Sequence, residues 1–280
     1  MKKIGFIIIN FNDHKTTKKL INNIKNYKII DEIVVVDNKS TDKSVLELQK
    51  IDNITLIANE ENYGFAKAIN IGCKYLINKY KDCYIFVSNS DIRIEEENDL
   101  KELVKTFKVK DIALVGPVIK EPDGVVRGWK LTSVNEDILM NIPLINRVYR
   151  NKLLNYKDSY YTTLLSYVDI VKGCFFLIDS KALEKINYLD ENTFLYYEEN
   201  ILAKKLKVKK YKTVINNKVT IYHDHAKTIS KNVNNINRYK ITKESFMYYE
   251  KNYNDANSLQ IFILKILNNI NLIVKKIRKK

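Results

Sequence analysis

The sequence predicts an α/β protein: a mainly parallel central sheet flanked by helices, followed by a helical C-terminal extension. Three observations predict it. Short apolar runs alternate with helical stretches from Ile4 to about Val115, the pattern of successive βαβ units. Those runs are apolar throughout rather than alternating, as strands covered on both faces are. Polar side chains gather where the runs end, the edge at which open α/β sheets bind ligands.

Ile4 to Ile9 is the first strand, closed by Asn10-Phe11-Asn12-Asp13. Two lysines precede it, but no small-residue cleavage site follows, so it reads as a strand and not a leader. Lys15 to Tyr27 carries Leu20, Ile21 and Ile24 on one helical face. Glu32 to Val36 is the second strand, Ser44 to Lys50 a short helix and Ile54 to Ala58 the third strand. A polar loop, 59–64, leads into a long helix, Phe65 to Tyr80. Tyr84 to Val87 is the fourth strand, Leu100 to Phe107 a helix, and Ile112 to Val115 the fifth strand. Glu121-Pro122-Asp123-Gly124 is a turn signal. The segment from Ile138 to Tyr149 is apolar and reads either as a helix or as a flap. Val168 to Ile178 reads as one strand containing Gly173, and Ser180 as the cap of a helix over Lys181 to Ile186. Tyr239 to Tyr253 and Leu259 to Ile277 are helical in pattern.

The chain has 280 residues, 45% of them apolar, enough for a large core. Only 3 prolines and 7 glycines leave little room for long linkers. The net charge of +15 favours anionic partners, whether nucleic acid, acidic lipid or phosphorylated substrates. No nucleic-acid-binding motif accompanies it. Cys73, Cys83 and Cys174 are too scattered for a disulfide framework or a zinc site, so buried thiols in a reducing cytoplasm are expected. No unbroken run of 18 apolar residues is present, so no bilayer-spanning helix is expected.

The strand ends hold the first candidate site. Strand one ends in Asn10 and Asn12, strand two in Asp37 and Asn38, and strand four in Ser88-Asn89-Ser90-Asp91. Turn chemistry accounts for any one of these. Together they put hydrogen-bonding groups and a carboxylate into one crevice. Asp37 can accept from a ribose hydroxyl or a base N–H, and Asp91 can hold a hard divalent cation. Neither G-x-G-x-x-G nor G-x-x-x-x-G-K-[ST] occurs, so a bound diphosphate would need a metal or cationic side chains.

The second candidate site is Phe194-Leu195-Tyr196-Tyr197-Glu198-Glu199. Two acids at a helix start gain from the dipole without any chemistry. They also suit a general base, because an apolar wall raises a carboxylate's pKa. Adjacent helical residues point about 100° apart, so one Glu can face a substrate while the other holds the loop. Gly173 marks either a bulge or the close approach of a ligand or another backbone. His223 and His225 share one face of a strand and are candidate ligands.

The runs Ile7-Ile8-Ile9-Asn10-Phe11-Asn12, Val34 to Asp42, Asn59-Glu60-Glu61-Asn62-Tyr63-Gly64-Phe65-Ala66 and Ser88-Asn89-Ser90-Asp91 resemble the successive motifs of family 2 glycosyltransferases, over roughly residues 3–230. The likeness runs toward bacterial rhamnosyltransferase-like and polysaccharide-biosynthesis members. It implies the GT-A (Rossmann-like) fold, a UDP- or dTDP-linked sugar donor, Mn2+ or Mg2+, and inversion at the anomeric carbon. It assigns donor contacts to Asn10, Asn12, Asp37, Asn38, Asn62, Gly64, Asn89 and Asp91. Metal contacts fall to Asp91, which stands where the family's DxD motif keeps its acid, and to His223, with His225 as alternate. The acceptor, a glycan or lipid-linked saccharide of capsule or lipopolysaccharide synthesis, would meet Gly173 and Tyr197. Of the acids, Glu199 is favoured over Glu198 as base. The alternative is a non-catalytic nucleotide- or glycan-binding module on the same scaffold.

Residues 1–232 are thus expected to form the GT-A domain, with a donor half at 1–118 and an acceptor half at 119–232. The extension, 233–280, has no acidic residue from Ser258 on and ends in Lys275-Lys276-Ile277-Arg278-Lys279-Lys280. It reads either as an amphipathic helix on an anionic membrane surface, which would make the protein peripheral on the cytoplasmic face, or as a helix packed on the domain or on a second subunit.

Overall fold

The computed structural model describes residues 2–143, 145–224 and 235–277. The first half alternates strictly: β1 (Lys3–Asn10), α1 (His14–Ile24), β2 (Glu32–Asp37), α2 (Ser44–Leu48), β3 (Thr55–Ala58), α3 (Phe65–Tyr80) and β4 (Cys83–Asn89). The strands β3, β2, β1 and β4 lie side by side and all pair in parallel. Period-2 alternation explains why their sequences are apolar throughout. Phe6, Ile8 and Val35 pack on one side with Leu20, Ile21 and Ile24 of α1. Ile7, Val34 and Val36 pack on the other with Ile69, Cys73 and Leu76 of α3. The three cysteines are free and buried.

The second half is less regular. It comprises β5 (Ile92–Arg93), α4 (Glu97–Lys105), β6 (Ile112–Glu121), β7 (Gly124–Val126), α5 (Val134–Asn141), α6 (Ile145–Leu154), β8 (Leu165–Val168), β9 (Phe175–Asp179), α7 (Ser180–Lys185), α8 (Glu198–Val208) and β10 (Lys212–His223). Here the sheet is mixed. β9 runs antiparallel between β4 and β6, β6 and β10 are parallel, and β5 and β8 are antiparallel to β10. The mainly parallel expectation therefore describes the N-terminal half. Two elements also depart from their expected bounds. The fifth long strand, β6, continues past Val115 to Glu121, and the single strand expected over 168–178 is two strands joined by a loop that holds Gly173. The apolar segment around Ile138 to Tyr149 is helical, in α5 and α6.

The extension forms α9 (Asn235–Asn252) and α10 (Ser258–Ile277). Phe246 of α9 and Leu264 of α10 make a third small core with Val134 of α5. The expected 232/233 boundary, His225 and the last three basic residues lie outside the described residues.

Candidate active site

At the ends of β1 and β2 the polar side chains close on one another. Asn10 Nδ2 donates to Asp37 Oδ2 at 2.6 Å, and Thr17 Oγ1 donates to Asn10 Oδ1 at 2.6 Å. Asp37 also accepts from the Ser40 amide at 2.9 Å and its hydroxyl at 2.6 Å. Both Asn10 and Asp37 are 0% exposed. From beneath, the two side chains hold the 38–42 turn. Asn12 is part-exposed, and its Oδ1 accepts from the Thr41 amide at 2.7 Å. Asn38 is buried and bonds Asn62 Oδ1 at 2.8 Å and the Gly64 carbonyl at 3.1 Å. It therefore shapes the 59–64 loop, and Asn62 stays part-exposed.

Gly64 ties this donor side to the loop before Glu198. At φ +82°, a Cβ there would stand 2.4 Å from the Phe194 carbonyl oxygen, so only glycine fits. The next amide, Phe65 N, donates to that same oxygen at 2.9 Å. Asn70 of α3 adds a buried clasp, donating to the Leu189 carbonyl at 2.9 Å and accepting from the Leu189 amide at 3.0 Å.

The strand-four acid meets a line of charge. Antiparallel pairing of β5 with the end of β10 sets Ile92 opposite His223 and brings Asp91 alongside. His223 Nε2 lies 3.2 Å from Asp91 Oδ1, and its Nδ1 lies 2.7 Å from Glu121 Oε1. Glu121 also pairs with Lys172. Burial disfavours a charged ring, but the hydrogen bond to Asp91, a contact with the Cys174 thiol and the Asp91 charge outweigh it; the His223 pKa is pushed up to about 11. The ring is thus an imidazolium donating to a carboxylate from each nitrogen. Asn89 stands part-exposed beside this post, its amide tied to the Cys174 carbonyl at 2.8 Å.

Lys172 is followed by Gly173, and there the acid pair arrives. Glu199 Oε1 accepts from the Gly173 amide at 3.2 Å. A Cβ on Gly173 would lie 2.6 Å from that oxygen. The close approach expected at Gly173 is therefore made by Glu199, and the glycine receives the acid rather than sitting in a strand. Glu198 is 6% exposed, and its Oε2 has no hydrogen-bond partner among the described residues. Burial raises both glutamate pKa values, and the Glu199 charge raises Glu198 further. The Gly173 amide and the Lys172 charge pull Glu199 back down. Of the two, Glu198 is pushed further toward its protonated form, and the part-exposed Glu199 is drawn back toward its charged form. Tyr196 and Tyr197, directly before them, both sit in the left-handed region at φ 73° and 68°. Such strain is stored where the surroundings enforce it. Here Tyr197 is wedged against Phe246 and Tyr249 of α9, with ring centroids 5.4 and 5.5 Å away. In this structure the Tyr197 ring packs on the extension.

Glu121 and Lys172 are the site residues that sequence reasoning missed. Glu121 was absorbed in a Pro-Asp-Gly turn signal, and Lys172 was one lysine among many. A divalent cation in a phosphate site takes few protein ligands and several phosphate oxygens. Asp91 offers the hard oxygen it needs, and His223 can ligate once Nε2 gives up its proton. Among the described residues no group of three His, Cys, Asp or Glu side chains is poised to hold a metal. The donor set therefore fits an ion that completes its shell from a bound diphosphate. A separate concavity of about 420 Å3, lined by Thr132, Lys204, Lys207, Asn254 and Gln260 among others, lies outside this site.

The half-parallel central sheet flanked by helices is the architecture of glycosyltransferases of the GT-A fold. The family model described as "Glycosyl transferase family 2" matches residues 6–186, and the chain belongs to that family. Over 196 residues, 70% of this chain, it is 27% identical to the low-salt glycan biosynthesis hexosyltransferase Agl10 of Haloferax volcanii, and it spans 59% of that relative's length. Among solved structures, it resembles the mannosyltransferase PcManGT from Pyrobaculum calidifontis in complex with GDP-Man and Mn2+, with TM-score 0.58 and 15% identity over 96% of this chain and 69% of that one. S. aureus TarS 1-349 in complex with UDP-GlcNAc gives TM-score 0.58 and 16% identity over 94% of this chain and 70% of that one. At such identities these two structures speak for the fold alone.

Proposed function

We propose that this glycosyltransferase is an inverting, metal-assisted enzyme that moves a hexosyl or rhamnosyl unit from a nucleoside-diphosphate donor to a glycan or lipid-linked saccharide in surface polysaccharide synthesis. The observation that carries the reading is the seat of Glu199. Its carboxylate is part-exposed and held by the Gly173 amide, beside a buried neighbour whose pKa is pushed up further. Glu199 takes the proton of the acceptor hydroxyl as that oxygen attacks the anomeric carbon. Attack from the face opposite the departing diphosphate inverts the configuration. Asp91 and His223 would hold the divalent cation, which when bound offsets charge on the diphosphate leaving group. Asn12, Asn62 and Asn89 are the part-exposed polar groups beside the donor path. GDP-Man and UDP-GlcNAc in the structural neighbours support a nucleotide-sugar donor here, and Mn2+ beside GDP-Man supports the cation.

A panel of UDP-, dTDP- and GDP-sugars tests this, read by nucleotide release with Mn2+ or Mg2+ and by proton NMR of the product. The expected outcome is release from one donor class, dependent on the cation, with an anomeric configuration opposite to the donor's. A retained configuration refutes inversion. If no donor raises the melting temperature, the transferase reading itself fails and a different ligand must be sought.

A further inference from the structure

The helix α10 is built inside out. An amphipathic helix on a protein surface normally turns its apolar stripe to the core. Here Leu259, Phe262, Ile266, Ile270, Ile273 and Ile277 are spaced three or four residues apart on one face, and all are 41–66% exposed. The opposite face is the one that docks, and it mixes Gln260, Asn268 and Asn271 with Ile261, Leu264 and Leu272. Gln260 Nε2 donates to Asn135 Oδ1 at 2.9 Å, and Asn271 Nδ2 donates to the Asn141 carbonyl at 2.7 Å. The Asn268 carbonyl accepts from Tyr239 at 3.1 Å, with Leu264 buried between.

With 20 residues and a mean hydropathy of 1.2, this helix is long and apolar enough to cross a bilayer, contrary to the expectation from unbroken apolar runs. Its bonds to α5 and α9 fix it flat along the domain instead, and its asparagines would be costly in hydrocarbon. Charge complementarity identifies what covers the outward face. Lys265 and Lys276 are exposed and lie along one edge of the stripe, about 80–100° from its centre. Arg278, Lys279 and Lys280 follow, and no acid occurs from Ser258 onward. An apolar stripe with cations and no acid along its edge is the pattern of a helix in the headgroup plane of an anionic leaflet.

We infer that the outward stripe of α10, with Lys265 and Lys276, docks the protein onto an anionic phospholipid surface. Co-flotation of the full chain with phosphatidylcholine vesicles, with and without phosphatidylglycerol, tests it. The chain should float with the anionic vesicles and not with the neutral ones. Phe262→Ser with Ile270→Ser should weaken partition about tenfold or more. Lys265→Gln and Lys276→Gln should each weaken it roughly fivefold at low salt. All four side chains are exposed, so the melting temperature should hold. Failure to float, or flotation unchanged by the serine pair, overturns the inference. Sedimentation velocity without lipid covers the rival occupant: a dimer that the serine pair dissociates assigns the stripe to a second copy of the chain and overturns it as well.

Discussion

Two buried carboxyl pairs, one on each side of the strained Tyr196-Tyr197 step, are built to opposite ends. Asp137 of α5 and Glu250 of α9 are 6% and 0% exposed. Thr132 Oγ1 reaches both oxygens of Asp137 at 2.9 Å, and Asn254 Nδ2 bridges to Asp137 at 3.3 Å and to Glu250 at 3.3 and 3.2 Å. Burial and the neighbouring Asp137 push the Glu250 pKa up to about 9, so this pair shares a proton and is closed on itself. Glu198 and Glu199 are left open. One oxygen of Glu198 has no partner among the described residues, and Glu199 accepts from the Gly173 amide with its face part-exposed. Burial alone does not mark an active acid. What separates the pairs is whether the polar groups around them are already satisfied.

The comparison can be broken most sharply at Gly173. Gly173→Ala drives a methyl into Glu199 Oε1, 2.6 Å from the Cβ position, and must displace the carboxylate. Turnover should fall roughly 10- to 100-fold with a small change in melting temperature; full turnover in this variant would detach Glu199 from the chemistry. A smaller effect is expected at Lys172. Because burial lifts the Glu199 pKa above 4.5, the acid limb of the rate profile should lie above the ordinary glutamate range. The Lys172 charge lowers that pKa, so Lys172→Met should move the limb to higher pH, by up to about one unit. A limb that stays put, measured as kcat against pH, would contradict the pairing.

The smallest effect should come from the closed pair, and it should appear in stability alone. The folded chain keeps on Glu250 a proton that the unfolded chain releases near pH 4.5, so this group makes stability fall as pH rises from there to about 9. Glu250→Gln removes that dependence. At pH 8 it should melt about 2–4 °C higher than the parent, with unchanged turnover. A scanning-calorimetry series across pH checks the slope. A loss of transfer in this variant would make the two pairs functionally alike.

The N-terminal half was legible because its strands are buried on both faces, which forces unbroken apolar runs such as Phe6-Ile7-Ile8 and Val34-Val35-Val36. The site was legible only in part. Pattern shows that a polar residue ends a strand, not which way it points. Asn10 and Asp37 turned inward to hold a turn, while Asp91 met His223. Glu121 was hidden because its partners are far off in sequence: Lys172 is 51 residues away and His223 is 102. The parallel pairing of β10 with β6 brings His223 to Glu121, and the loop before β9, inserted beside β6, brings Lys172; no periodicity announces either. The apolar stripe of α10 was visible in the sequence, but its outward direction was not.

The most direct test of the account is single-turnover transfer by Glu199→Gln and Glu198→Gln, side by side with the parent at saturating donor. If Glu199 is the base and Glu198 the buried, protonated neighbour, Glu199→Gln should lose about 10²- to 10⁴-fold, while Glu198→Gln stays within about tenfold because an amide replaces a group already neutral. Undiminished transfer by Glu199→Gln, or the larger loss falling on Glu198→Gln, would contradict it.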